Sequence, residues 1–402
     1  MYFYFRSSLN MNKTQWLLCI CGFLDLFSVA LFFPLFVHHA KNLGASPSQI
    51  GLFSSVYGTI QLFSSPFMGQ VSDRFGRRTI LLLSLLGTAI SYFLIGQAVG
   101  FWTLVLARIP SGLFKHGQSM NRLWLVDITS SNELAAVFGT YNSISSAGFI
   151  IGPTIGGILY STTDGFFKVS ILSSLLLILN AILVYLFIPE KRVCDHKLSV
   201  QKSSTNLFYN INNIPWYLVW DIFVVRFLQS FSMILYRSNF TSVLVFRFEI
   251  DAIATGYIQS FNAVISAGTG MMVQWIVCHF SSNMKCHNIF SFILVLSLLG
   301  VTIGPTLSFV LISFVPLCIS SAVLRVTNST LLFTRGNAKV RGLMNGTADT
   351  LSSFARALAP VIGGYVQEIS VYGPGISSTF FAVAGTAISV YADKNLLHLH
   401  LD

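Results

Sequence analysis

Long apolar runs follow one another along most of this 402-residue chain. A helix needs about 20 mostly apolar residues to cross a bilayer, and many runs here approach that length. Charged residues make up only 9% of the chain, against about 25% in a soluble domain. The pattern therefore predicts an all-α integral membrane protein that meets the lipid bilayer along most of its surface, and it excludes a soluble enzyme with one anchor.

The apolar pattern predicts twelve transmembrane helices, with approximate bounds. The spans are residues 16–38, 49–67, 79–96, 101–123, 135–160, 166–188, 214–244, 252–277, 287–303, 306–332, 343–366 and 374–392. The first run is too long for the apolar part of a signal peptide and contains Asp25, so we interpret it as a retained span. Met11 is an alternative start to Met1.

The longest polar stretch is rich in Lys, Ser and Asn and predicts a linker between two six-helix halves. The predicted regions are an N-terminal tail at 1–13, helical halves at 14–188 and 214–392, the linker at 189–213, and a C-terminal tail at 393–402. These bounds give each half the same number of spans.

Basic residues concentrate on one side of this arrangement, since the loops on the other side hold only Lys41, Lys168 and Arg247. The positive-inside rule then places both termini in the cytoplasm. The same rule explains the net charge of +10, so that no nucleic-acid partner is needed. The choice between the plasma membrane and an internal membrane stays open.

The two halves repeat in sequence. Gly51 at the start of the second span matches Gly256 at the start of the eighth, an offset of 205 residues (256 − 51). Pro153 in the fifth span matches Pro360 in the eleventh, an offset of 207 residues (360 − 153). Such parallel repeats are typical of secondary transporters, whose substrate site lies between the halves near the membrane midplane.

A charged run at 69–78, Gly-Gln-Val-Ser-Asp-Arg-Phe-Gly-Arg-Arg, separates the second and third spans. Its glycines allow a tight reversal, and its arginines favour the cytoplasmic side. The offset of 205 residues places no comparable acid and arginine cluster in the second half. We predict that a gating loop is formed by Gly69, Asp73, Arg74, Gly76, Arg77 and Arg78.

Four motifs carry a resemblance to a known family. They are the whole run 69–78, Leu104 with Arg108, Ser111 and Gly112 in the fourth span, Gly148 with Gly152, Pro153, Gly156 and Gly157 in the fifth, and Leu24-Asp25 with Pro34 in the first. Together they resemble the major facilitator superfamily, and within it the drug–proton antiporters related to tetracycline efflux proteins. Among animal proteins the chain resembles the orphan major-facilitator-domain proteins of that subgroup. The fourth-span motif has Ser where Gln is usual.

The resemblance implies the major facilitator fold, with two six-helix pseudo-repeats, and secondary transport by alternating access. It implies proton-coupled antiport, with Arg108 at the position associated with proton transfer and therefore next to the coupling acid. It also implies that Asp73 holds the outward-facing state by a contact with the other half. The fifth-span glycines would let helices approach closely, and Pro153 would allow a kink.

Ionisable residues inside the predicted spans indicate where coupling and binding occur. Asp25 is the candidate proton-coupling acid, because a buried carboxylate in a span is a functional hypothesis by default. Arg108, Lys115 and Arg122 recur every seven residues and would form one stripe on a continuous helix. We assign to the substrate cavity Lys115, Arg226, Arg325, Asp349 and Arg356.

Interior cations outnumber interior acids, which favours an anionic or zwitterionic small organic solute. Two alternatives stay open, a facilitated uniporter of the same fold and a membrane scaffold or receptor without transport. The scattered Cys and His residues give no metal or cofactor pattern, and no nucleophile–base pair indicates an enzyme. We expect a monomer.

Overall fold

The computed structural model describes residues 11–130, 133–188, 216–335 and 341–399. The predicted linker, most of the predicted N-terminal tail and the last three residues of the C-terminal tail lie outside these residues. Everything described below refers to these four stretches.

The chain is helical on both sides of the linker. In the first half, α1 (Lys13–Phe32) continues through a 3-10 turn (Phe33–Leu35) into α2 (Phe36–Asn42), followed by α3 (Pro47–Phe75), α4 (Arg77–Gly96), α5 (Phe101–Phe114), α6 (Gly117–Ile128), α7 (Leu134–Tyr160) and α8 (Gly165–Phe187). In the second half are α9 (Trp216–Arg247), α10 (Ala252–Cys278), α11 (Asn283–Ile303), α12 (Leu307–Arg335), α13 (Arg341–Ile369) and α14 (Gly373–Leu399).

These helices supply the twelve expected spans, because α1 with α2 forms one span and α5 with α6 forms another. Within the described part of the chain, nine helical segments are long and apolar enough to cross a membrane. The three remaining spans, α3, α5–α6 and α13, carry much of the polar and glycine-rich motif sequence. The prediction of an all-α protein with twelve spans is confirmed.

The repeat is visible in the order of the helices and in their packing. The first span of each half is α1 or α9, and the last is α8 or α14. Within the first half α1 packs on α7 and α8, and α4 packs on α5 and α8. In the second half α9 packs on α13 and α14, and α11 packs on α12 and α14. Every one of these pairs in one half has its counterpart in the other.

The residues group into two compact units that follow the halves with two exceptions. Unit 1 contains most of the first half together with Glu249–Val264, which includes the start of α10. Unit 2 contains most of the second half together with Pro47–Ser55, the first turns of α3. Each unit therefore includes a short segment from the opposite half of the sequence.

Glycines allow these two segments to pack closely within their units. In unit 1 the carbonyl of Pro153 in α7 faces Gly256 of α10, and in unit 2 the carbonyl of Pro360 in α13 faces Gly51 of α3. A side chain at either glycine would overlap the facing carbonyl oxygen. The residues that revealed the repeat in sequence therefore contact each other, in the same way in both units.

The structure corrects the prediction that residues 69–78 form a loop. Helix α3 continues through Phe75, and α4 begins at Arg77. The reversal is confined to Gly76, whose φ of 90° lies in a region that other residues rarely adopt. Gly69, Asp73 and Arg74 thus belong to the last turns of α3, while Arg77 and Arg78 open α4.

Candidate functional site

Asp25 lies inside unit 1, in the middle of α1, with a side chain that is only 3% exposed. Lys115 Nζ forms an ion pair with Asp25 Oδ1 at 3.2 Å. The ammonium group also lies over the ring of Tyr92, 5.6 Å from the ring centre. A charge buried among membrane helices requires a partner of this kind, so Lys115 is the residue that stabilises the ionised carboxylate.

The second oxygen of this carboxylate is held by an amide. Gln118 Nε2 donates to Asp25 Oδ2 at 3.0 Å and to the Gly22 carbonyl at 2.9 Å. Gln118 Oε1 accepts a hydrogen bond of 2.7 Å from the Tyr141 hydroxyl. Tyr141 thereby fixes which end of the amide faces the carboxylate.

Lys115 reaches Asp25 because the fourth span is broken at this point. Helix α5 ends at Phe114 and α6 begins at Gly117, with Lys115 at ψ 70° between them. The structure thus corrects the prediction of one continuous helix over 101–123. Irregular backbone at membrane depth is tolerated only where other protein groups satisfy it.

Side chains of α3 supply those groups. Ser64 Oγ donates to the Gly112 carbonyl at 2.9 Å, and Gln61 Nε2 donates to the Lys115 carbonyl at 3.3 Å. His116 Nε2 also lies 2.9 Å from Ser64 Oγ. In a continuous helix the carbonyls of Gly112 and Lys115 would accept hydrogen bonds from the backbone of the next turn. Here they accept hydrogen bonds from side chains of α3 instead.

The residue that opens α6 must be small. A Cβ atom at Gly117 would lie 3.2 Å from Asp25 Oδ2, which is closer than most real contacts of that kind. Glycine at this position lets the start of α6 approach the carboxylate. Asp25, Lys115, Gln118 and Tyr141 form what we call the carboxylate cluster.

Arg108 does not take the place beside Asp25 that we expected for it. It is buried, at 4% exposure, and its guanidinium lies over the ring of Tyr57, 4.7 Å from the ring centre. Lys115 is the observed ion-pair partner of Asp25 instead, because the break carries it off the helix that holds Arg108. Tyr92, which interacts with both cations, lies close to the two of them.

The expected stripe of Arg108, Lys115 and Arg122 is also wrong, since it assumed one helix. Arg122 is exposed on α6 and donates to Asn142 Oδ1 at 3.2 Å. The three cations thus have three different partners: an aromatic ring, a buried carboxylate and an amide.

Two of the three arginines of the run 69–78 contact other residues of unit 1, and Arg74 is exposed. Arg77 Nε forms an ion pair of 3.1 Å with Asp127 of α6, and Arg77 also donates to Ser72 Oγ. Arg78 donates to the Tyr185 carbonyl of α8 and lies over the ring of that tyrosine. The structure does not describe the side chain of Asp73, so the gating role of this residue stays a prediction.

The fifth-span motif lies against α1. A side chain at Gly148 or Gly152 would meet the α1 backbone or Ala30, and one at Gly156 would meet the Leu31 carbonyl. Gly157 faces the Ala252 carbonyl at the start of α10. These glycines therefore allow α7 to pack closely against both α1 and the start of α10.

Charged residues in unit 2 occupy mid-helix positions of α9, α12 and α13. Arg226 of α9 forms an ion pair of 2.9 Å with Asp349 of α13, whose side chain is 64% exposed. Arg325 of α12 and Arg356 of α13 are exposed, and Arg356 donates to Ser353 at 2.7 Å. The structure thus joins Arg226 to Asp349 and places Lys115, the fifth residue of our predicted cavity set, in the carboxylate cluster of unit 1.

Sequence reasoning missed several of these residues. Gln118 and Tyr141 were not predicted to contact Asp25, although the polar sequence Lys-His-Gly-Gln at 115–118 inside an apolar run was a signal. Tyr57 and Tyr92 resemble the many other aromatic residues of the spans and gave no signal. Among the described residues, no group of three His, Cys, Asp or Glu side chains could hold a metal ion.

Comparison with known proteins gives a family and related transport proteins. The family model described as Major Facilitator Superfamily matches residues 18–391. The quinolone resistance protein NorA of Staphylococcus aureus (strain MSSA476) is 26% identical over 392 residues, covering 94% of this chain and 96% of NorA. The class H tetracycline resistance protein of Pasteurella multocida is 30% identical over 175 residues, which cover 42% of this chain and 44% of that protein.

The fold also matches solved structures. A bacterial homologue of the human lysosomal transporter Spinster, solved in an inward-facing and unoccupied conformation, aligns with a TM-score of 0.78 at 14% identity. The alignment covers 96% of this chain and 97% of that one. At this identity the match establishes the architecture alone.

Proposed function

Because the chain belongs to the Major Facilitator Superfamily, and is thus a multi-pass membrane transporter and not an enzyme, we propose that it is a proton-coupled antiporter of a small organic solute. One observation carries the proposal, the buried ion pair of Asp25 and Lys115 at the broken fourth span. A proton carrier needs an ionisable group inside the membrane whose proton affinity changes with its surroundings.

The carboxylate cluster provides such a change. With Lys115 and Gln118 in place, the ionised form of Asp25 accepts two bonds from charged or polar donors. Movement of α6 away from α1 would remove Gln118, and movement at the break would remove Lys115. Either movement leaves a buried carboxylate that gains stability by binding a proton.

In this scheme Lys115 is the positioning cation of the proton site, and Arg108 contributes through Tyr92, which lies close to both cations. The contact of Gly51 with Pro360 and that of Gly256 with Pro153 would both be formed in one transport state, as they are here, and both be separated in the other. The run 69–78, with Asp73, would hold the opposite state. Similarity to NorA, a quinolone resistance protein, and to a tetracycline resistance protein supports a small organic compound as the solute.

The test uses the full-length protein in proteoliposomes with an imposed pH gradient. We expect gradient-driven accumulation of a transported organic solute that is lost in Asp25→Asn, while solute exchange without a gradient continues. Arg122→Gln is the control, because this exposed arginine lies outside the carboxylate cluster. Uptake that is equal with and without a gradient would favour the facilitated uniporter, and no uptake of any solute would favour a scaffold or receptor.

We further propose that the solute is anionic or zwitterionic, that the protein acts as a monomer, and that both termini face the cytoplasm. The excess of Lys and Arg in one set of loops supports this orientation. It predicts that Cys278, exposed at the end of α10, reacts with a membrane-impermeant thiol reagent only from the cytoplasmic side of sealed vesicles. Reaction from the outer side would reverse the topology.

A further inference from the structure

A carboxylate of α13 contacts the first turn of α3 in unit 2. The hydroxyl of Ser48 donates to Glu368 Oε1 at 2.7 Å, and the Ser48 backbone N–H donates to the same oxygen at 3.3 Å. Ser48 is the second residue of α3, and Glu368 lies in the last turn of α13. The side chain of one helix thus accepts hydrogen bonds from the N-terminal turn of another.

This contact caps α3 from outside its own segment. The first four backbone N–H groups of a helix have no partner within that helix. A side-chain oxygen that accepts from such a group stabilises the helix, and a negative charge interacts favourably with the positive end of the helix dipole. Glu368 supplies both the oxygen and the charge, although it lies 320 residues after Ser48 in the chain.

The cap belongs to a longer contact between the same two segments. The Val361 N–H of α13 donates to Ser55 Oγ of α3 at 3.1 Å. A Cβ atom at Gly364 would lie 2.4 Å from the carbonyl oxygen of Pro47. The start of α3 therefore lies along α13 over about two helical turns, and Glu368 binds its first turn.

The start of α10 takes the matching place in unit 1, and its cap has a different origin. Asp251 Oδ1 accepts from a backbone N–H of the first turn of α10 at 2.9 Å, and Asp251 directly precedes that helix. The position that matches Ser48 holds Ile253 (48 + 205), and the position that matches Glu368 holds Ser161 (368 − 207). The repeat thus supplies no carboxylate where unit 2 has Glu368.

The two caps respond differently when a helix contact separates. Asp251 moves with the helix that it caps, so its hydrogen bond persists whether or not α10 contacts α7. Glu368 caps α3 only while α3 contacts α13. The hydrogen bonds of Glu368 therefore stabilise the contact as well as the helix.

We infer that Glu368 is a positioning residue of the transport cycle, which favours the state in which the start of α3 contacts α13. Successive spans alternate in direction, so this contact lies on the side of the membrane opposite the linker. Removal of the carboxylate raises the free energy of the contacting state and not that of the separated state, where water surrounds Glu368 and Ser48. The inference rests on the proposed transport function and adds a residue that sets the balance between its states.

The test measures how often this contact opens in the purified full-length protein in lipid nanodiscs. Ser55→Cys, in a Cys278→Ser background, places a thiol where the serine is 4% exposed, so that a maleimide reaches it when the contact separates. We expect Glu368→Ala to raise the labelling rate about fivefold, which is the population change for a helix cap of ordinary strength. Glu368→Gln keeps an acceptor oxygen and should label more slowly than Glu368→Ala.

Asp251→Ala is the matched control, because it removes a cap that is present in both states. Both Ala variants should lower the unfolding temperature, but Asp251→Ala should leave the labelling rate unchanged. Equal labelling of Glu368→Ala and its parent, or an equal rise in Asp251→Ala, would overturn the inference. If Ser55→Cys fails to fold, Ile50→Cys, at a position that is 2% exposed in the same segment, takes its place.

Gradient-driven uptake distinguishes this inference from the proposed function. Faster labelling in Glu368→Ala, without any effect of a pH gradient on uptake, would remove proton coupling and leave the role of Glu368. Proton-driven uptake with a labelling rate indifferent to Glu368 would remove the inference alone.

Discussion

The fourth and tenth spans hold equivalent places in the repeat, yet the fourth is broken and the tenth is one helix. Both contain a proline at the matching position, Pro110 in one and Pro316 in the other. Proline alone therefore does not break the span. The difference lies in the neighbouring helix, where Gln61 and Ser64 bond the carbonyls of the broken span.

The equivalent contacts in the second half stay between side chains or within one helix. Ser266, which matches Gln61 in the repeat, meets the side chain of Cys318 and not a backbone carbonyl. Thr269, which matches Ser64, donates to Ile265 of its own helix. The two copies of this span thus differ: the fourth has a break with α3 side chains bonded to its carbonyls and a lysine at the break, and the tenth does not.

The largest expected effect comes from Lys115→Gln, which leaves Asp25 buried without its cation. Removing one member of a buried ion pair costs about 3–5 kcal/mol, so we expect a strongly lowered unfolding temperature in detergent and loss of proton-driven transport. Ser321 holds the matching position in the continuous helix and provides the control, since Ser321→Ala should change neither. Similar stability of Lys115→Gln and wild type would mean that the pair does not stabilise the fold.

Asp73→Asn tests the charged run 69–78, which, like the break in the fourth span, has no counterpart in the second half. We expect transport to fall about tenfold, equivalent to about 1.4 kcal/mol in the rate-limiting barrier, with normal folding and membrane insertion. Cys278→Ser, at the matching position of the second half, should transport like the wild type. Unchanged flux in Asp73→Asn would refute a gating role for the run 69–78.

A smaller effect is expected from Ser64→Ala, which removes the donor to the Gly112 carbonyl. An unsatisfied buried acceptor costs about 1–3 kcal/mol, and the loss should appear as a lower unfolding temperature. Ser266→Ala should cost less than Ser64→Ala, since no backbone carbonyl depends on Ser266. Equal losses in the two variants would show that the side chains of α3 do not maintain the break.

Tyr141→Phe should have the smallest effect. It removes one hydrogen bond to Gln118, worth about 0.5–1.5 kcal/mol, and lets the amide turn away from Asp25. The unfolding temperature should therefore fall slightly, and proton-driven uptake should fall less than in Asp73→Asn. An unchanged unfolding temperature together with unchanged uptake would mean that Tyr141 does not hold the Gln118 amide against Asp25.

The sequence was sufficient for the architecture because apolar run length and repeated glycines act locally. Gly51, Gly256, Pro153 and Pro360 gave the repeat before any contact was known, and those same residues pack together in each unit. The buried acid at Asp25 was also recognisable, since an ionisable group stands out in an apolar run.

The partner of that acid could not be predicted in the same way. The assignment of Arg108 depended on a continuous fourth helix, and the break at Lys115 depends on Gln61 and Ser64, which lie two spans earlier in the chain. Contacts between distant helices decide which of several candidate charges meet.

The exchange of short segments between the units also bears on the origin of the repeat. Unit 1 includes Glu249–Val264 and unit 2 includes Pro47–Ser55, which are the same part of the repeat seen in its two copies. A six-helix ancestor built in this way would have lacked one segment of its compact unit. Two copies would have had to exchange the starts of their second spans to complete both units. The present chain carries both copies of the repeat, so a half expressed by itself should recover its packing only when the other half is supplied.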